Sequence, residues 1–157
     1  MDINLTIKEI ESSELSGYIQ SAWDNDVLLP NFYDKSLEEK SLKNMVKDTN
    51  DKVKGLLEIH EGVKMFGVDY KNEMIGFIVL NKKLNYLYSF GINKNYRNKE
   101  VLSEIFSYIK NNIKEFFCLL NRYNSRAVSW LKKCGMTEHE DLSPEKNIIY
   151  LKYNLCQ

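Results

Sequence analysis

One stretch of this chain decides its fold: Ile92-Asn93-Lys94-Asn95-Tyr96-Arg97-Asn98-Lys99-Glu100-Val101-Leu102. The residues just before it, 86–91, are apolar and aromatic, which is typical of a β-strand. The apolar residues after it recur at the spacing of one helix face, namely Val101, Leu102, Ile105, Phe106 and Ile109. The stretch therefore predicts a strand that leads through a basic loop into a helix beginning near residue 99.

The start of this helix has the properties of an anion site. The first turn of a helix leaves several backbone N–H groups without partners inside the helix. The helix dipole adds partial positive charge at the same end. Arg97 and Lys99 increase that charge, although cations are otherwise disfavoured at a helix N-terminus. We therefore expect this loop to bind a phosphate group.

The same loop resembles the cofactor-binding motif of the GNAT superfamily of N-acetyltransferases, which reads Arg/Gln-x-x-Gly-x-Gly/Ala. Arg97 matches its first position, and Tyr96 and Lys99 fit the pattern, whereas Glu100 and Leu102 stand at the two glycine positions. In that family the loop amides bind the pyrophosphate of acetyl-CoA. The resemblance implies a set of acetyl-CoA contacts: Phe90, Gly91 and Ile92 for the pantetheine arm, and Arg97, Asn98, Lys99, Glu100, Val101, Leu102 and Ser103 for the pyrophosphate.

A second motif supports the same resemblance. GNAT proteins often carry Asn-x-x-Ala-x-x-x-Tyr-x-Lys-x-Gly-Phe on a later helix. This chain matches it at Asn124, Ala127, Lys133 and Gly135, with Met136 in place of the phenylalanine. The resemblance implies that Asn124 contacts CoA, while the residue type and position equally suit a helix cap.

The whole chain predicts a mixed α/β fold in the order β-α-α-β-β-β-α-β-α-β-β, which is also the order of the GNAT fold. The predicted strands are 3–10, 63–70, 74–80, 84–92, 116–120, 136–142 and 147–155. The polar break Lys71-Asn72-Glu73 predicts a hairpin between the second and third strands, and the apolar run 116–120 predicts a buried central strand. The predicted helices are one capped by Ser12 or Ser13, one that opens with a capping box at Ser36, one from 99 to about 112, and one from 124 that stops at Gly135. A polar turn is expected at 48–54. We expect one GNAT-like acyl-CoA N-acyltransferase domain over residues 1–157.

The loop departs from the family motif at both glycine positions. Glycine is used where a Cβ would obstruct a close approach. Leu102 places a branched side chain at one such position, and Glu100 places a carboxylate beside the expected diphosphate. Two like charges about 4 Å apart repel by about 1 kcal/mol in water. Glu100 could point into solvent, or Arg97 and Lys99 could offset its charge.

The positions of the catalytic acid and base also depart from the family pattern. The family commonly has a tyrosine acid where this chain has Leu131, and leucine has no proton to donate. Trp130 beside it offers only an indole N–H. Some members have a glutamate base where this chain has Tyr86, and a tyrosine with a pKa near 10 is a poor base at neutral pH. Tyr86 is the candidate catalytic residue, with an ordinary strand aromatic as the alternative.

The acceptor side of the expected site falls on the segment 28–33. The family places its acceptor-binding loop in this part of the chain, so Phe32 and Tyr33 are candidate substrate-binding residues. The apolar character of the segment equally suits a protein interface. Alternatively, Phe32 could pin the loop to the core.

Composition limits the partners and the location that we expect. Lys+Arg and Asp+Glu number 22 each, so the formal net charge is zero, which disfavours nucleic-acid binding. No apolar run reaches membrane-spanning length, and the first residues do not read as a secretory signal. The three cysteines, Cys118, Cys134 and Cys156, show no metal-ligand or disulfide spacing. We expect no metal and a cytoplasmic protein.

Two functions of different classes follow. The first is a GNAT-type N-acetyltransferase that transfers an acetyl group from acetyl-CoA to a primary amine on a small molecule or a protein. The second is a GNAT-fold protein without catalysis that serves as a binding or structural component, for which the acetyl-CoA site is lost and the partner is a protein. Lysine outnumbers arginine 19 to 3, which indicates an AT-rich genome and makes a virion component one version of the second function.

Overall fold

The computed structural model describes residues 4–24 and 42–154. Those ranges contain seven strands and four α-helices: β1 (Leu5–Glu9), α1 (Ser12–Trp23), α2 (Leu42–Ile59), β2 (Val63–Tyr70), β3 (Glu73–Asn81), β4 (Tyr86–Ile92), α3 (Lys99–Asn112), β5 (Phe116–Asn121), α4 (Ser125–Lys133), β6 (Thr137–Glu138) and β7 (Ile148–Tyr153). This is the mixed α/β fold and the element order predicted from the sequence. The capping box predicted at Ser36 lies outside the described residues.

The strands form one mixed sheet in the order β1-β2-β3-β4-β5-β7-β6. Neighbouring strands are antiparallel, except that β4 and β5 are parallel. Strand β5 lies between β4 and β7, as expected of a buried central strand. The parallel pair requires a crossover, which α3 supplies.

The predicted hairpin between β2 and β3 is confirmed. Its turn residues, Lys71 and Asn72, have φ values of 49° and 66°. Two consecutive residues with positive φ are characteristic of the two-residue turn whose twist matches that of the flanking strands. The polar residues between the two apolar runs therefore form the turn that connects β2 directly to β3.

The sheet separates two apolar clusters. Helix α3 packs on one face, where Ile105 and Ile109 belong to the same buried cluster as Leu87, Cys118 and Leu151. Helix α1 packs on the other face, where the buried residues include Leu15, Tyr18, Ile19, Met65, Phe77 and Val79. No described helix is both long and apolar enough to cross a bilayer.

The start of α1 differs from the prediction. Its N-cap is Glu11, and Ser12 and Ser13 already belong to the first turn. The backbone N–H of Glu11 donates to Oε1 of Glu14 at 3.2 Å. The side chain of Glu14, rather than a serine hydroxyl, therefore makes this capping bond.

The turn predicted at 48–54 is wrong, because α2 continues through it from Leu42 to Ile59. Met45, Thr49 and Val53 recur every fourth residue and are buried. Nδ2 of Asn50 also donates to Oγ of Ser16 on α1 at 3.1 Å. Packing of this narrow stripe outweighs the polar composition of the segment.

The strand predicted at 136–142 is also wrong over most of its length. Only Thr137–Glu138 is extended, and Glu140–Leu142 forms a short 3-10 turn. The backbone N–H of Leu142 donates to the carbonyl oxygen of His139 at 3.0 Å, so this segment turns back on itself. By contrast, the helix stop predicted at Gly135 is confirmed, because its φ of 104° suits glycine.

Candidate functional site

The central feature of the site is the divergence of two parallel strands. A single register pair joins β4 to β5, with Tyr86 opposite Phe117. The ladder does not continue toward Ile92, although β4 remains paired with β3 up to that residue. The strands therefore open a gap that widens toward the loop before α3. We call this opening the β4–β5 gap.

A β-bulge lies beside the closed end of the gap. Strand β3 pairs Val79 with Ser89 and Leu80 with Leu87, so Tyr88 is the extra residue of β4. A bulge bends its strand and increases the local twist. This position accounts for the departure of β4 from β5 just beyond Tyr86.

Gly91 allows α1 to lie against β4. An ideal Cβ on Gly91 would lie 2.7 Å from Cε1 of Phe77 and 2.9 Å from Nε1 of Trp23. The Trp23 and Phe77 rings meet edge to face with their centroids 5.2 Å apart. The lack of a side chain at Gly91 thus allows the end of α1 to pack directly on β4, the strand that borders the gap.

Replacing Gly91 with alanine is expected to destabilise the protein by about 1–3 kcal/mol, because the new methyl group overpacks this contact. Gly55→Ala is a matched control, since a Cβ there would have no neighbour within 4 Å. In a helix that change should instead stabilise by about 0.5–1 kcal/mol. Urea unfolding of both variants should show a lower free energy of unfolding for Gly91→Ala and a higher one for Gly55→Ala. Equal effects of the two changes would contradict the tight packing at Gly91.

Asn93 fixes the loop that follows β4. Its backbone N–H donates to the carbonyl oxygen of Ile75 at 2.7 Å. Its Nδ2 donates to the carbonyl oxygen of Ser21 at 2.8 Å, and its Oδ1 accepts from the N–H of Asn95 at 3.0 Å. The Asn93 side chain thus joins the loop to α1 and also forms a hydrogen bond within the loop.

Arg97 also folds back on the loop. Its Nε donates to the carbonyl oxygen of Ile92 at 2.9 Å, and the residue is half-buried. This bond joins the end of β4 to the residue just before the helix cap. The guanidinium therefore braces the loop and adds positive charge next to α3.

Asn98 is the N-cap of α3, and its Oδ1 accepts from the backbone N–H of Val101 at 3.0 Å. The first-turn amides of a helix lack intrahelical partners. Because the amide of Val101 is bonded to Asn98, the amides of Lys99 and Glu100 are the two helical first-turn donors that remain for an anion in this part of the structure. The side chains of Lys99, Glu100 and Ser103 are exposed. An anion that approaches this helix end meets two amides, one lysine and one carboxylate.

The two residues at the glycine positions have different surroundings. Leu102 is half-buried and packs against the core on the α3 side of the sheet. The exposed Glu100 lies in the first helical turn, where a negative side chain is favourable in the absence of a bound anion. Leu102 therefore has a packing role, whereas Glu100 competes with an anion for the same helix end.

Helix α4 carries the other motif residues. Asn124 occupies its N-cap position without a side-chain capping bond and is half-buried. Leu131 has no exposed surface and belongs to the core under α3. The ring of Trp130 meets the ring of Phe90 from β4 edge-on, with their centroids 5.0 Å apart. Sequence reasoning considered Trp130 only as an acid and missed its contact with the gap-lining strand.

Tyr86 lies within a series of rings. Its ring centroid is 4.4 Å from those of both Tyr88 and Phe117. The Phe117 ring in turn stacks on Tyr150 at 5.1 Å and 7°. Alternation along β4 was visible in the sequence, but the contacts with β5 and β7 required the strand register.

The other candidate groups offer little chemistry. Cys118 is fully buried, and burial raises the pKa of its thiol, so it stays protonated, as expected of a core residue. Within residues 4–24 and 42–154, no three or more His, Cys, Asp or Glu residues are placed to hold a metal ion. The candidate acceptor residues Phe32 and Tyr33 lie outside the described residues.

Solved structures provide the comparison with known proteins. PaiA N-acetyltransferase from Thermoplasma acidophilum, in complex with coenzyme A, matches with a TM-score of 0.66 and 19% identity, covering 98% of this chain and 99% of that one. SpeG spermidine N-acetyltransferase from Vibrio cholerae matches with a TM-score of 0.56 and 16% identity, over 96% and 93% of the two chains.

A third similar structure is an acetyl transferase from Salmonella typhimurium that modifies the N-terminal serine of the 50S ribosomal subunit protein L7/L12. Its TM-score is 0.60 at 12% identity, over 96% of this chain and 93% of that one. No protein-family model and no curated protein sequence matches. The chain therefore has the fold of the GNAT N-acetyltransferases.

Proposed function

We propose that this protein is an N-acetyltransferase that uses acetyl-CoA to acetylate a primary amine. The observation that carries the proposal is the β4–β5 gap, which opens toward the N-terminus of α3. A gap between two strands, followed by the free backbone amides of a helix start, suits a ligand with an extended arm and a phosphate group. PaiA N-acetyltransferase, which has a similar fold, is in complex with coenzyme A in its solved structure.

The residues present fit acetyl-CoA, with one competing group. The backbone of Phe90–Ile92 on β4 would hold the pantetheine arm in the gap. The amides of Lys99 and Glu100 and the charge of Arg97 and Lys99 would hold the pyrophosphate. The third first-turn amide is already capped by Asn98, so this chain offers fewer donors than an uncapped helix start would.

Two further parts of the candidate site belong to this proposal. Val101, Leu102 and Ser103 would shape the helix end around the phosphate, and Asn124 would contact the cofactor from α4. Among these, Val101 and Leu102 contribute mainly packing, because their amides are bonded to Asn98.

The chemistry needs little from side chains. Acetyl-CoA supplies an acetyl group activated as a thioester. A backbone N–H of β4 would stabilise the developing oxyanion. Leu131 is buried and has no proton to give. As the C–N bond forms and the C–S bond breaks, the proton lost by the amine nitrogen would therefore reach the departing thiolate through water. Tyr86 remains the candidate catalytic residue at the closed end of the gap.

The test is amine-dependent transfer. The protein is incubated with acetyl-CoA and a panel of primary amines and lysine peptides, while thiol release and the mass of the products are followed. We expect thiol release that depends on the amine, together with an N-acetylated product. Binding of acetyl-CoA without any acetylated product would favour the non-catalytic alternative; the comparisons give no support to its viral version.

The carboxylate at the helix end gives a further prediction. Glu100→Gln is expected to tighten acetyl-CoA binding roughly fivefold, because it removes a repulsion of about 1 kcal/mol between charges ~4 Å apart in water. Calorimetric titration in low and high salt checks this, since the gain should shrink as salt screens the charge. Glu104→Gln, exposed on the next turn of the same helix, should change the affinity less.

A further inference from the structure

Four rings cross the sheet in a continuous series, which we call the aromatic row: Tyr88, Tyr86, Phe117 and Tyr150. Successive ring centroids are 4.4, 4.4 and 5.1 Å apart. The last two rings are almost parallel, at 7°. The row thus joins β4, β5 and β7 on a single face.

The row lies on the face opposite α3. The residues that alternate with its rings, Leu87, Cys118 and Leu151, have no exposed surface and belong to the core under α3. Because neighbouring residues of a strand point to opposite faces, the rings belong to the other side. All four rings are half-buried and keep part of their surface exposed. Part of each ring is therefore accessible to a ligand.

The row crosses the closed end of the β4–β5 gap. Tyr86 and Phe117, its two middle members, are the register pair at which the strands join. If the pantetheine arm occupies the gap, as proposed above, the reactive end of the arm lies nearest to this pair. An acceptor that rests on the row would then have its amine close to the acyl group. This step depends on the proposed function.

The residues of β5, β6 and β7 on this face provide no counter-charge for a polycationic acceptor. Strand register places seven residues of β5, β7 and β6 on the face: Phe117, Leu119, Asn121, Ile148, Tyr150, Lys152 and Thr137. None of these strand residues is acidic, and one is a lysine. Glu138 belongs to the other face, where Lys132 and Arg122 pair with it at 3.3 Å. A polyamine would find no counter-charge on these strands.

We infer that the acceptor is a primary amine carried on a flat aromatic body, which packs edge-to-face against the aromatic row, and not an aliphatic polyamine. The two middle rings of the row already lie against their neighbours, so a ligand meets their exposed edges. Aromatic rings attract one another in this edge-to-face arrangement, and the strand residues of β5, β6 and β7 on this face add no carboxylate. The inference separates this chain from the spermidine N-acetyltransferase whose fold it shares.

The test compares phenethylamine with spermidine. Acetyl transfer to each is measured with the wild-type protein, Phe117→Leu and Tyr150→Leu, and phenethylamine binding in the presence of CoA is followed by ligand-observed NMR. Tyr123→Leu is the control, because Tyr123 is 59% exposed and is not part of the row. Circular dichroism checks that each variant folds.

We expect kcat/KM to favour phenethylamine about tenfold, the preference that one or two ring contacts provide, and we expect both row variants to lose it. Equal or faster transfer to spermidine would overturn the inference and leave the proposed function intact. Phenethylamine binding that Phe117→Leu abolishes, without transfer to either amine, would support the row and contradict the proposed function. Absence of both binding and transfer would overturn the inference.

Discussion

Lys99→Pro should weaken acetyl-CoA binding far more than Lys99→Ala, while α3 stays folded. Proline is accepted at the first position of a helix, where its missing N–H is not needed by the helix. Asn98, just before it, has φ −98° and ψ 165°, the extended conformation that a residue before proline prefers. The substitution therefore removes one outward amide with little damage to the fold.

The two substitutions separate the amide from the side-chain charge. Both remove the lysine charge, but only proline removes the N–H. A hydrogen bond to a charged group contributes about 1.5–3 kcal/mol, so the proline variant should bind roughly 10–100-fold more weakly than the alanine variant. Calorimetry measures the affinities, and circular dichroism checks the helix. Equal affinities would mean that the Lys99 amide does not touch the pyrophosphate.

Phe77→Ala is expected to lower the free energy of unfolding by about 3–5 kcal/mol, the usual cost of deleting a buried aromatic ring. Phe77 has no exposed surface. It supports Trp23 on α1 and lies directly under Gly91. Its removal should leave a cavity beneath the strand that borders the gap.

Urea unfolding of Phe77→Ala and Phe77→Leu provides the measurement. Leucine refills part of the cavity and should recover more than half of the loss. Met74→Ala, at a neighbouring but 43% exposed position of β3, should cost much less. A loss below about 1 kcal/mol for Phe77→Ala would show that the α1 face of the sheet is not tightly packed.

The strand–loop–helix unit around residue 98 could be predicted because its signals are local. Apolar periodicity set the length of α3, which was predicted at 99–112 and is found at Lys99–Asn112. Lys71-Asn72 similarly marked a hairpin from residues that lie next to each other. In such segments, backbone preference and tertiary packing favour the same structure.

Helix α2 shows where local signals fail. Residues 48–54 are rich in polar side chains that favour turns, yet Thr49 and Val53 are buried in a helix. Asn50 in this segment donates a hydrogen bond to Ser16 of α1, which lies 34 residues away in the sequence. No residue near the segment in the sequence indicates this partner.

The candidate site likewise has one part that local sequence indicates and one part that depends on distant residues. The anion-binding helix end could be inferred from consecutive residues, whereas its cap could not be assigned to Asn98 without the backbone geometry. The aromatic row depends on the register of three strands that are distant in sequence, since Tyr86 faces Phe117 and Phe117 lies beside Tyr150. Composition alone showed only that aromatic residues were abundant.

Calorimetric titration with acetyl-CoA, with CoA in parallel, tests the central claim most directly. CoA shares the pantetheine arm and the pyrophosphate, so we expect both ligands to bind with dissociation constants in the micromolar range. Saturable binding of this strength would show that the β4–β5 gap and the start of α3 form a cofactor site. No heat of binding from either ligand at millimolar concentration would contradict the account.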